Sequence, residues 1–479
     1  MSRFYSVREV PAKGIPNYLM PVISTRGWFL FLVCYFGLHF ILRVTLSSSL
    51  QIDAAEQIVQ AQSLRWNYGN FQPPLFTWLL SLVWKVIPVS LESFVGFRYV
   101  ILFVTFWIWR LIALQIFKDP GRQLLAATSW LLVFDFAWKL HQGSTHTTLM
   151  MLALVMTLHA VLLIMNNGKS RNYLYLGFAM ALGVSSKYSY AGYVLATLLS
   201  GLLIAEVRSF ILNKRILVTL ISGVIFSTPA MISLLIPNET VVEGLNGELL
   251  FTPGGLISGN PGLLVLFLNA CMEFTVLTLV IYALASIKRV SVGGNDLLIK
   301  WWFIFFLVVF ATFLLAAVFF DASIIKARWM HPFLWFFPFF ALMFMMSKSS
   351  AVQGGVIVFS TIVLMVLVVY ARIYQMTYIS GEADKPGRLK WPVMDVVRQI
   401  DDNLFVDTNV YAKDAYLAAH IILAKKVNVS LGPPVGKKVV FFKGEVLTNK
   451  ASSSIENTNS IEKFKKNIGY KVSWYRDDL

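Results

Sequence analysis

The segment WWFIFFLVVFATFLLAAVFF at residues 301–320 decides the fold class, because none of its twenty side chains is charged. About 20 apolar residues in a helix are enough to cross a bilayer. Only 14% of the 479 residues are charged, against about 25% in soluble domains. We therefore predict an all-α polytopic membrane protein with about eleven transmembrane helices. The predicted spans are residues 27–46, 98–117, 123–140, 146–165, 172–186, 190–205, 216–236, 262–287, 301–320, 329–347 and 351–372.

Composition divides the chain into three parts. Residues 1–26 are basic and contain no apolar stretch, which predicts a cytoplasmic tail and not a cleavable signal peptide. Residues 27–372 form the membrane domain, with a first outside loop at 47–97. Residues 373–479 begin with a Gly-, Pro- and charge-rich linker and continue with alternating helical and strand-like patterns. They predict a small extracytoplasmic α/β domain.

Topology depends on the segment PPLFTWLLSLVWKVIPV at 73–89, which is just long enough to cross the membrane. If it lies in the interface instead, the basic loops face the cytoplasm and the acidic loops face outward, as the positive-inside rule requires. The interfacial interpretation therefore wins. The cytoplasmic basic residues are then Lys118, Arg122, Lys169, Arg171, Arg208, Lys214, Arg215, Lys288, Arg289, Lys300 and Lys348. The outside acidic residues are Asp53, Glu56, Glu239, Glu243, Glu248 and Asp321.

The formal charge of +16 is typical of a membrane protein with basic cytoplasmic loops beside anionic lipid headgroups. We expect no nucleic-acid partner. The two cysteines, Cys34 and Cys271, both lie in apolar runs, which argues against a disulfide framework and against a cysteine metal site.

The first outside loop carries the most chemistry. Residues 52–66 predict a helix on which Asp53 and Glu56, three residues apart, share one face with Gln57 nearby. A solvated surface helix with acidic residues near its N-terminus explains the same pattern. The position directly above the bilayer, where a lipid headgroup lies, favours a functional site. Tyr68 and Gln72 follow in the turn before the Pro-Pro step.

Three other outside corners carry candidate residues, and each also has a purely structural explanation. His141, Thr145 and His146 lie at one corner between two spans. They either pack as structural residues or bind substrate. Lys187, beside Tyr188, snorkels to the interface or neutralises a phosphate. Arg328, between Lys326 and His331, anchors a span or recognises a phosphate with its guanidinium fork. His39 and His159 lie inside spans and are predicted to be structural.

No Walker motif, dinucleotide-binding glycine pattern, His-Glu-x-x-His motif or nucleophile elbow is present. The candidate set is therefore an acid, a base and a phosphate clamp, without an obvious covalent nucleophile.

The segment DAAEQIVQAQSLRWNYGNFQPPLFTWL at 53–79 resembles the first-loop signature of bacterial glycosyltransferase family 39-like proteins. These GT-C proteins are related to protein mannosyltransferases, aminoarabinose transferases and rhizobial galacturonosyltransferases. Residues 175–199, 326–342 and 412–429 are also similar to this family, less specifically.

The resemblance implies a GT-C bundle with interfacial helices in the first loop and a polyprenyl-phosphate-sugar donor. It implies that Asp53 is the catalytic or acceptor-positioning acid. Two positions depart from the family pattern: Ala54 replaces the second acid, which leaves Glu56, and His146 replaces a later outside acid. Metal dependence varies in this fold, so we assign no metal ligand and no certain cofactor, and leave a divalent cation open.

We expect direct, inverting transfer of a sugar to an envelope lipid, glycan or protein on the extracytoplasmic face of a bacterial inner membrane. Asp53 and Glu56 are the predicted catalytic pair, and Lys187 and Arg328 are the predicted phosphate ligands. The predicted acceptor- or donor-binding residues are Gln57, Tyr68, Gln72, His141, His146, Tyr188 and His331. The alternatives are a lipid-linked-sugar flippase or transporter, with charged residues near mid-membrane, and an inactive relative that serves as an assembly partner.

Overall fold

A computed structural model describes most of the chain, namely residues 15–69, 72–236, 262–285, 296–319, 329–348, 354–377, 388–435, 438–447, 459–465 and 468–477. The helices are α1 Thr25–Leu46, α2 Ile52–Gln60, α3 Leu75–Val83, α4 Leu91–Ile116, α5 Pro120–Thr128, α6 Phe134–Ala137, α7 His146–Asn167, α8 Ser170–Ser186, α9 Ser189–Leu202, α10 Ala205–Ile211, α11 Ile216–Leu235, α12 Gly262–Ala285, α13 Asp296–Phe319, α14 His331–Leu334, α15 Phe337–Lys348, α16 Gly354–Thr377, α17 Val393–Gln399 and α18 Ala415–Lys425. The strands are β1 Asn409–Ala412, β2 Val429–Leu431, β3 Val439–Leu447, β4 Asn459–Lys465 and β5 Ile468–Asp477. Short 3₁₀ helices cover Asn17–Ile23, Ser129–Leu132, Lys139–His141, Arg388–Lys390 and Asp402–Phe405.

Seven helices in the described part of the chain are long and apolar enough to cross a membrane. They are α1, α4, α7, α11, α12, α13 and α16, and each coincides with one of the predicted spans. Caps fix their ends: the Ser24 side chain accepts a hydrogen bond from the Gly27 amide at 3.0 Å at the start of α1. Gly168 ends α7 with a φ of +57°, a backbone conformation that glycine adopts without strain. The all-helical membrane class is confirmed.

The four remaining predicted spans contain shorter or broken helices. Residues 123–140 fold into α5, α6 and intervening 3₁₀ turns, because Asp135 and Lys139 find polar partners on other helices. The predicted span 329–347 is split between α14 and α15, where Pro338 lies in the first turn of α15 and cannot continue a preceding helix. The helices at the other two positions, α8 and α9, have 17 and 14 residues.

The first outside loop contains two short helices, α2 and α3, of nine residues each. Nine helical residues extend about 13 Å, which is less than half of the hydrocarbon core. The segment 73–89 therefore does not cross the membrane as a helix. The helix predicted at 52–66 ends earlier, at Gln60, because the following residues bond to one another: the Tyr68 hydroxyl accepts from the Arg65 amide and donates to the Ser63 carbonyl.

The membrane helices approach one another closely where side chains are small. A Cβ atom at Gly177 on α8 would lie 2.0 Å from Ser222 Oγ and 2.4 Å from the Thr219 carbonyl oxygen of α11. Only a glycine fits there. Such small-residue contacts are typical of helix pairs in membranes, because they allow backbones to pack tightly.

The C-terminal region forms a five-stranded sheet with the order β2-β1-β3-β5-β4. Strand β1 pairs in parallel with β2 and β3, while β5 pairs antiparallel with β3 and β4. The helix α18 connects β1 to β2, as a parallel pair requires. This α/β domain contacts the end of α1: the Tyr416 hydroxyl bonds Ser49 Oγ at 2.6 Å, and Ser47 Oγ donates to the Leu389 carbonyl at 2.6 Å. It therefore lies on the same side of the bundle as α2 and α3.

Candidate active site

The acidic face of α2 is partly open to solvent. Asp53 is exposed in the first turn of the helix, Glu56 is half-buried one turn later, and Gln57 is buried. Burial, reinforced by the neighbouring Asp53 carboxylate, raises the pKa of Glu56. Thr77 Oγ1 of α3 donates to Gln57 Oε1 at 2.5 Å and fixes α2 against α3. The two carboxylates therefore sit on a helix that a buried polar contact holds in place.

The corner loop, which we define as residues 141–147, includes the first two residues of α7 and packs against the start of α2. Gly143 has a φ of +149°, and a Cβ atom there would lie 3.0 Å from Cβ and Cγ of Gln51. Gln51 is the N-cap residue of α2 and lies two positions before Asp53. The conformation and the close contact both favour glycine at this position. The corner loop is thus in contact with the helix that carries the acidic pair.

His141 is a buried junction of the corner loop. Its Nε2 lies 3.0 Å from the Tyr35 hydroxyl and its Nδ1 lies 3.2 Å from the Tyr99 hydroxyl. Its ring stacks on His39 with centroids 3.9 Å apart. A neutral imidazole donates at one nitrogen and accepts at the other, so one tyrosine accepts and the other donates. His141 was predicted to bind substrate; in the structure both of its ring nitrogens contact tyrosines of α1 and α4.

Three buried arginines surround this junction, and we call Arg43, Arg98 and Arg372 the arginine cluster. Arg98 donates from Nε to the Ser144 carbonyl at 2.7 Å and from Nη2 to the Leu140 carbonyl at 2.9 Å. Arg372 donates from Nη1 to the His141 carbonyl at 2.9 Å. Arg43 donates to the Ser47 and Ser49 carbonyls. The guanidinium groups therefore hold the corner loop and the start of the first outside loop.

The arginine cluster is not neutralised by its surroundings. Within the described ranges, no carboxylate lies at ion-pair distance from any of the three guanidinium groups. Nε and Nη2 of Arg372 are buried without a hydrogen-bond partner in the same part of the chain. Asp53 is close enough to interact electrostatically with Arg98. The exposed carboxylate of α2 is therefore within electrostatic range of at least one member of the arginine cluster.

The corner loop also reaches Lys187. Lys187 Nζ donates to Thr147 Oγ1 at 3.0 Å, and its charge acts on His146. The His146 ring packs against Phe76 of α3, with centroids 5.8 Å apart. Tyr188, the next residue, is half-buried. The structure thus brings together four predicted regions: α2, α3, the corner loop and the turn at Lys187.

Arg328 and Lys326 lie outside the described residues. Three other predicted residues, His331, Tyr68 and Gln72, make no described contact with these four regions. His331 contacts Asp135 through Nε2, and so belongs to another group. The hydroxyl of Tyr68 bonds within its own loop. Gln72 Oε1 is buried, and no described group bonds it.

A second charged group, which we call the compensated cluster, consists of Asp135, Lys139, Glu273 and His331. Lys139 Nζ lies 3.0 Å from Asp135 Oδ1 and also contacts Glu273 on α12. Asp135 is completely buried. Asp135 lies between Lys139 and His331, and Lys139 lies between the two carboxylates. Within the described ranges, no three His, Cys, Asp or Glu side chains come together as a metal site.

Sequence reasoning missed the arginine cluster and most of the compensated cluster. The signal was present, since charged residues inside apolar runs are costly and commonly functional. Arg43, Arg98 and Arg372 each lie within or at the edge of a predicted span. The expectation that candidate residues gather at one face is also incomplete, because Glu273 lies near the middle of α12.

The membrane bundle, the short first-loop helices and the C-terminal sheet define a GT-C membrane protein. A structure of ArnT from Cupriavidus metallidurans bound to undecaprenyl phosphate superposes with a TM-score of 0.56 over 88% of this chain and 94% of that chain, at 9% identity. Residues 71–232 match the family described as dolichyl-phosphate-mannose-protein mannosyltransferase.

Two curated relatives come from Rhizobium johnstonii. The lipopolysaccharide core galacturonosyltransferase RgtA is 28% identical over 70% of this chain and 67% of its own length. The lipopolysaccharide core galacturonosyltransferase RgtB is 26% identical over 65% of this chain and 64% of its own length. The matches thus span about two thirds of each relative. The chain thus has the GT-C fold and is similar in sequence to these glycosyltransferases, and the predicted resemblance is confirmed.

Proposed function

We propose that the protein transfers a sugar from a polyprenyl-phosphate carrier to an envelope acceptor on the extracytoplasmic face of a bacterial inner membrane. The observation that supports this proposal is that the exposed Asp53 interacts electrostatically with Arg98, one of three buried arginines without carboxylate partners among the described residues. A general base next to a positive field suits the displacement of an anionic leaving group. The undecaprenyl phosphate in the ArnT structure supports a lipid-phosphate donor for this chain.

The names of the two curated relatives suggest the finer substrates. Both are galacturonosyltransferases of the lipopolysaccharide core, so we propose a hexuronosyl donor and a core-type saccharide acceptor for this chain. A sugar that carries a carboxylate adds a second anion to the donor. The unpartnered guanidinium nitrogens of Arg372 provide donors of the correct charge for such a group.

In the proposed reaction, Asp53 accepts the proton of the acceptor hydroxyl while the acceptor oxygen bonds to the anomeric carbon. The bond between that carbon and the phosphate oxygen breaks, and its electron pair leaves with the lipid phosphate. Displacement from the opposite face inverts the anomeric configuration. Glu56, with its raised pKa, assists the orientation of the hydroxyl. Lys187, Arg328 and the arginine cluster stabilise the phosphate charge that develops.

The test uses purified protein in nanodiscs with a radiolabelled polyprenyl-phosphate hexuronic acid and a core-type lipopolysaccharide. Asp53→Asn keeps the size of the side chain but removes the base, so we expect transfer to fall by at least about a hundredfold. Asp407→Asn, which removes an exposed acid of the C-terminal domain, is the matched control and should keep near-normal transfer.

Near-normal turnover by Asp53→Asn would remove Asp53 from the mechanism. In proteoliposomes, movement of the labelled donor across the bilayer without formation of product would identify a flippase or transporter instead. Neither transfer nor transport, with a partner captured by crosslinking, would identify an inactive assembly partner. Mass spectrometry of envelope glycans from cells with and without the protein identifies the acceptor.

A further inference from the structure

A cavity of about 560 Å³ lies between the first outside loop and the C-terminal domain. One wall follows the end of α2 and contains Gln62. The second wall follows the end of α3, with Trp84 and Lys85, and the third joins α18 to β2, with Lys426 and Asn428. The cavity therefore adjoins the helix that carries Asp53, but it lies at the opposite end of that helix.

Side-chain bonds between the two regions hold the cavity walls together. Gln62 Nε2 donates to the Val429 carbonyl at 3.1 Å, and Gln62 Oε1 accepts from the Val429 amide at 2.8 Å. Lys426 Nζ donates to the Val89 carbonyl on the far side. All three bonds cross from the first loop region to the C-terminal domain. The cavity is therefore formed in advance, so a ligand would not have to order it.

The lining carries a net positive charge. Lys85 and Lys426 both line the cavity, and Arg398 is close enough to act on Lys426. Glu92 is the acid that opposes them. Partial burial and the charge of Arg398 lower the pKa of Lys426, while Glu92 acts in the opposite direction. The electrostatic complement of this lining is an anion.

The remaining lining suits a saccharide better than a simple ion. Asn428 provides an exposed amide group, and the indole of Trp84 provides a flat apolar face. The indole Nε1 donates to Ser93 Oγ at 3.0 Å, which fixes the orientation of the ring. A few fixed polar groups around an apolar surface are typical of small-molecule sites.

We propose that this cavity binds an anionic segment of the acceptor saccharide, at a distance from the hydroxyl that receives the sugar. The assignment rests on the proposed function. Along α2, the eight helical rises from Asp53 to Ala61 correspond to about 12 Å. An oligosaccharide extends over that distance, so one acceptor reaches both the carboxylate of Asp53 and the two lysines. The site selects acceptors by charge, and α2 orients them.

The experiment measures binding separately from transfer. The probe is core oligosaccharide released from rough-type lipopolysaccharide by mild acid, titrated into full-length protein in phosphatidylcholine nanodiscs. We expect Lys85→Gln and Lys426→Gln each to weaken binding about threefold, and the double variant about tenfold, with the loss shrinking at high salt. Lys413→Gln, an exposed lysine of the same domain that does not line the cavity, is the matched control and should bind like the parent.

Two further arms define the ligand. Removal of its phosphates and reduction of its carboxylates should weaken binding of the oligosaccharide to the parent about tenfold. The uncharged oligosaccharide should bind the parent and the double variant with equal affinity. Unchanged affinity of the double variant would overturn the proposal, as would competition by lipid A alone and not by the free oligosaccharide. Asp53→Asn should retain binding, so loss of transfer in that variant and loss of binding in the lysine variants report on separate claims.

Discussion

The two buried charged groups of the membrane domain differ in how their charges are balanced. In the compensated cluster, Asp135 and Glu273 alternate with Lys139 and His331. In the arginine cluster, the three guanidinium groups contact backbone carbonyls, and no described carboxylate pairs with them. A buried charge without an opposite partner is costly, so a protein that keeps one has a use for it.

The difference separates a structural role from a functional one. The compensated cluster stabilises the irregular segment 123–140, because it supplies partners for the polar groups of that segment. A continuous apolar helix would not contain such groups. Among the described residues, the arginine cluster has unused hydrogen-bond donors, and one of its members interacts electrostatically with Asp53. We propose that the anionic donor of the reaction balances the charge that no described carboxylate balances.

The largest expected effect comes from breaking the compensated cluster. Asp135→Asn removes the negative centre and leaves Lys139 and His331 without their shared partner. We expect a loss of about 3–5 kcal/mol in the free energy of unfolding, since Asp135 is fully buried. The measurement is denaturant or thermal unfolding of the purified protein in detergent.

The matched control is Glu273→Gln on the same Lys139. The Glu273 side chain is 38% exposed, so its pairing with lysine is screened by solvent and its loss should cost less than about 1 kcal/mol. If Asp135→Asn costs no more than the control, the cluster does not hold the broken segment.

The pH dependence of the free energy of unfolding provides another test, because the folded protein buries a histidine in its neutral form. Burial lowers the pKa of His420, on α18, to about 4 from an ordinary value near 6.5. Between those values the unfolded chain binds a proton that the folded chain does not, so stability is complete above about pH 6.5 and falls as the pH drops towards 4. We expect a loss of about 2 kcal/mol at pH 5 relative to pH 7.5.

The check is unfolding at pH 7.5 and pH 5 for the parent and for His420→Gln. The glutamine variant cannot take up the proton, so its stability should change less between the two pH values. An equal pH dependence in the two proteins would show that other groups are responsible.

The smallest expected stability effect is that of Arg372→Gln. Because the arginine cluster contains only like charges, removal of one relieves repulsion and should change the free energy of unfolding by less than about 1 kcal/mol. The same change should lower transfer about tenfold, since it removes part of the positive field beside Asp53. A large loss of stability with unchanged transfer would reverse the distinction between the two clusters.

Much of the fold could be predicted from the sequence, because hydropathy is a local property. Seven spans and the interfacial character of the segment 73–89 follow from run length and loop charge. The broken segment at 123–140 could not be predicted, because its polar groups are balanced by Glu273 and His331, which lie more than 130 residues further along the chain. Hydropathy averages over such residues and gives no sign of their partners.

The candidate site was predicted only in part for the same reason. The acidic face of α2 is a short-range pattern, and Lys187 lies at a turn that the topology places on the same side. The role of His141 was not visible, because its partners Tyr35 and Tyr99 come from two other helices. The arginine cluster combines α1, α4 and α16, and only the tertiary structure brings these three together.

The amide of Gln62 has a further consequence for the edge of the sheet. Strand β2 is the outer strand, and an outer strand normally offers its peptide groups to any other chain that can add to it. Gln62 engages both the amide and the carbonyl of Val429, as a neighbouring strand would. A single side chain from the first outside loop thereby covers part of this edge against strand addition by another chain.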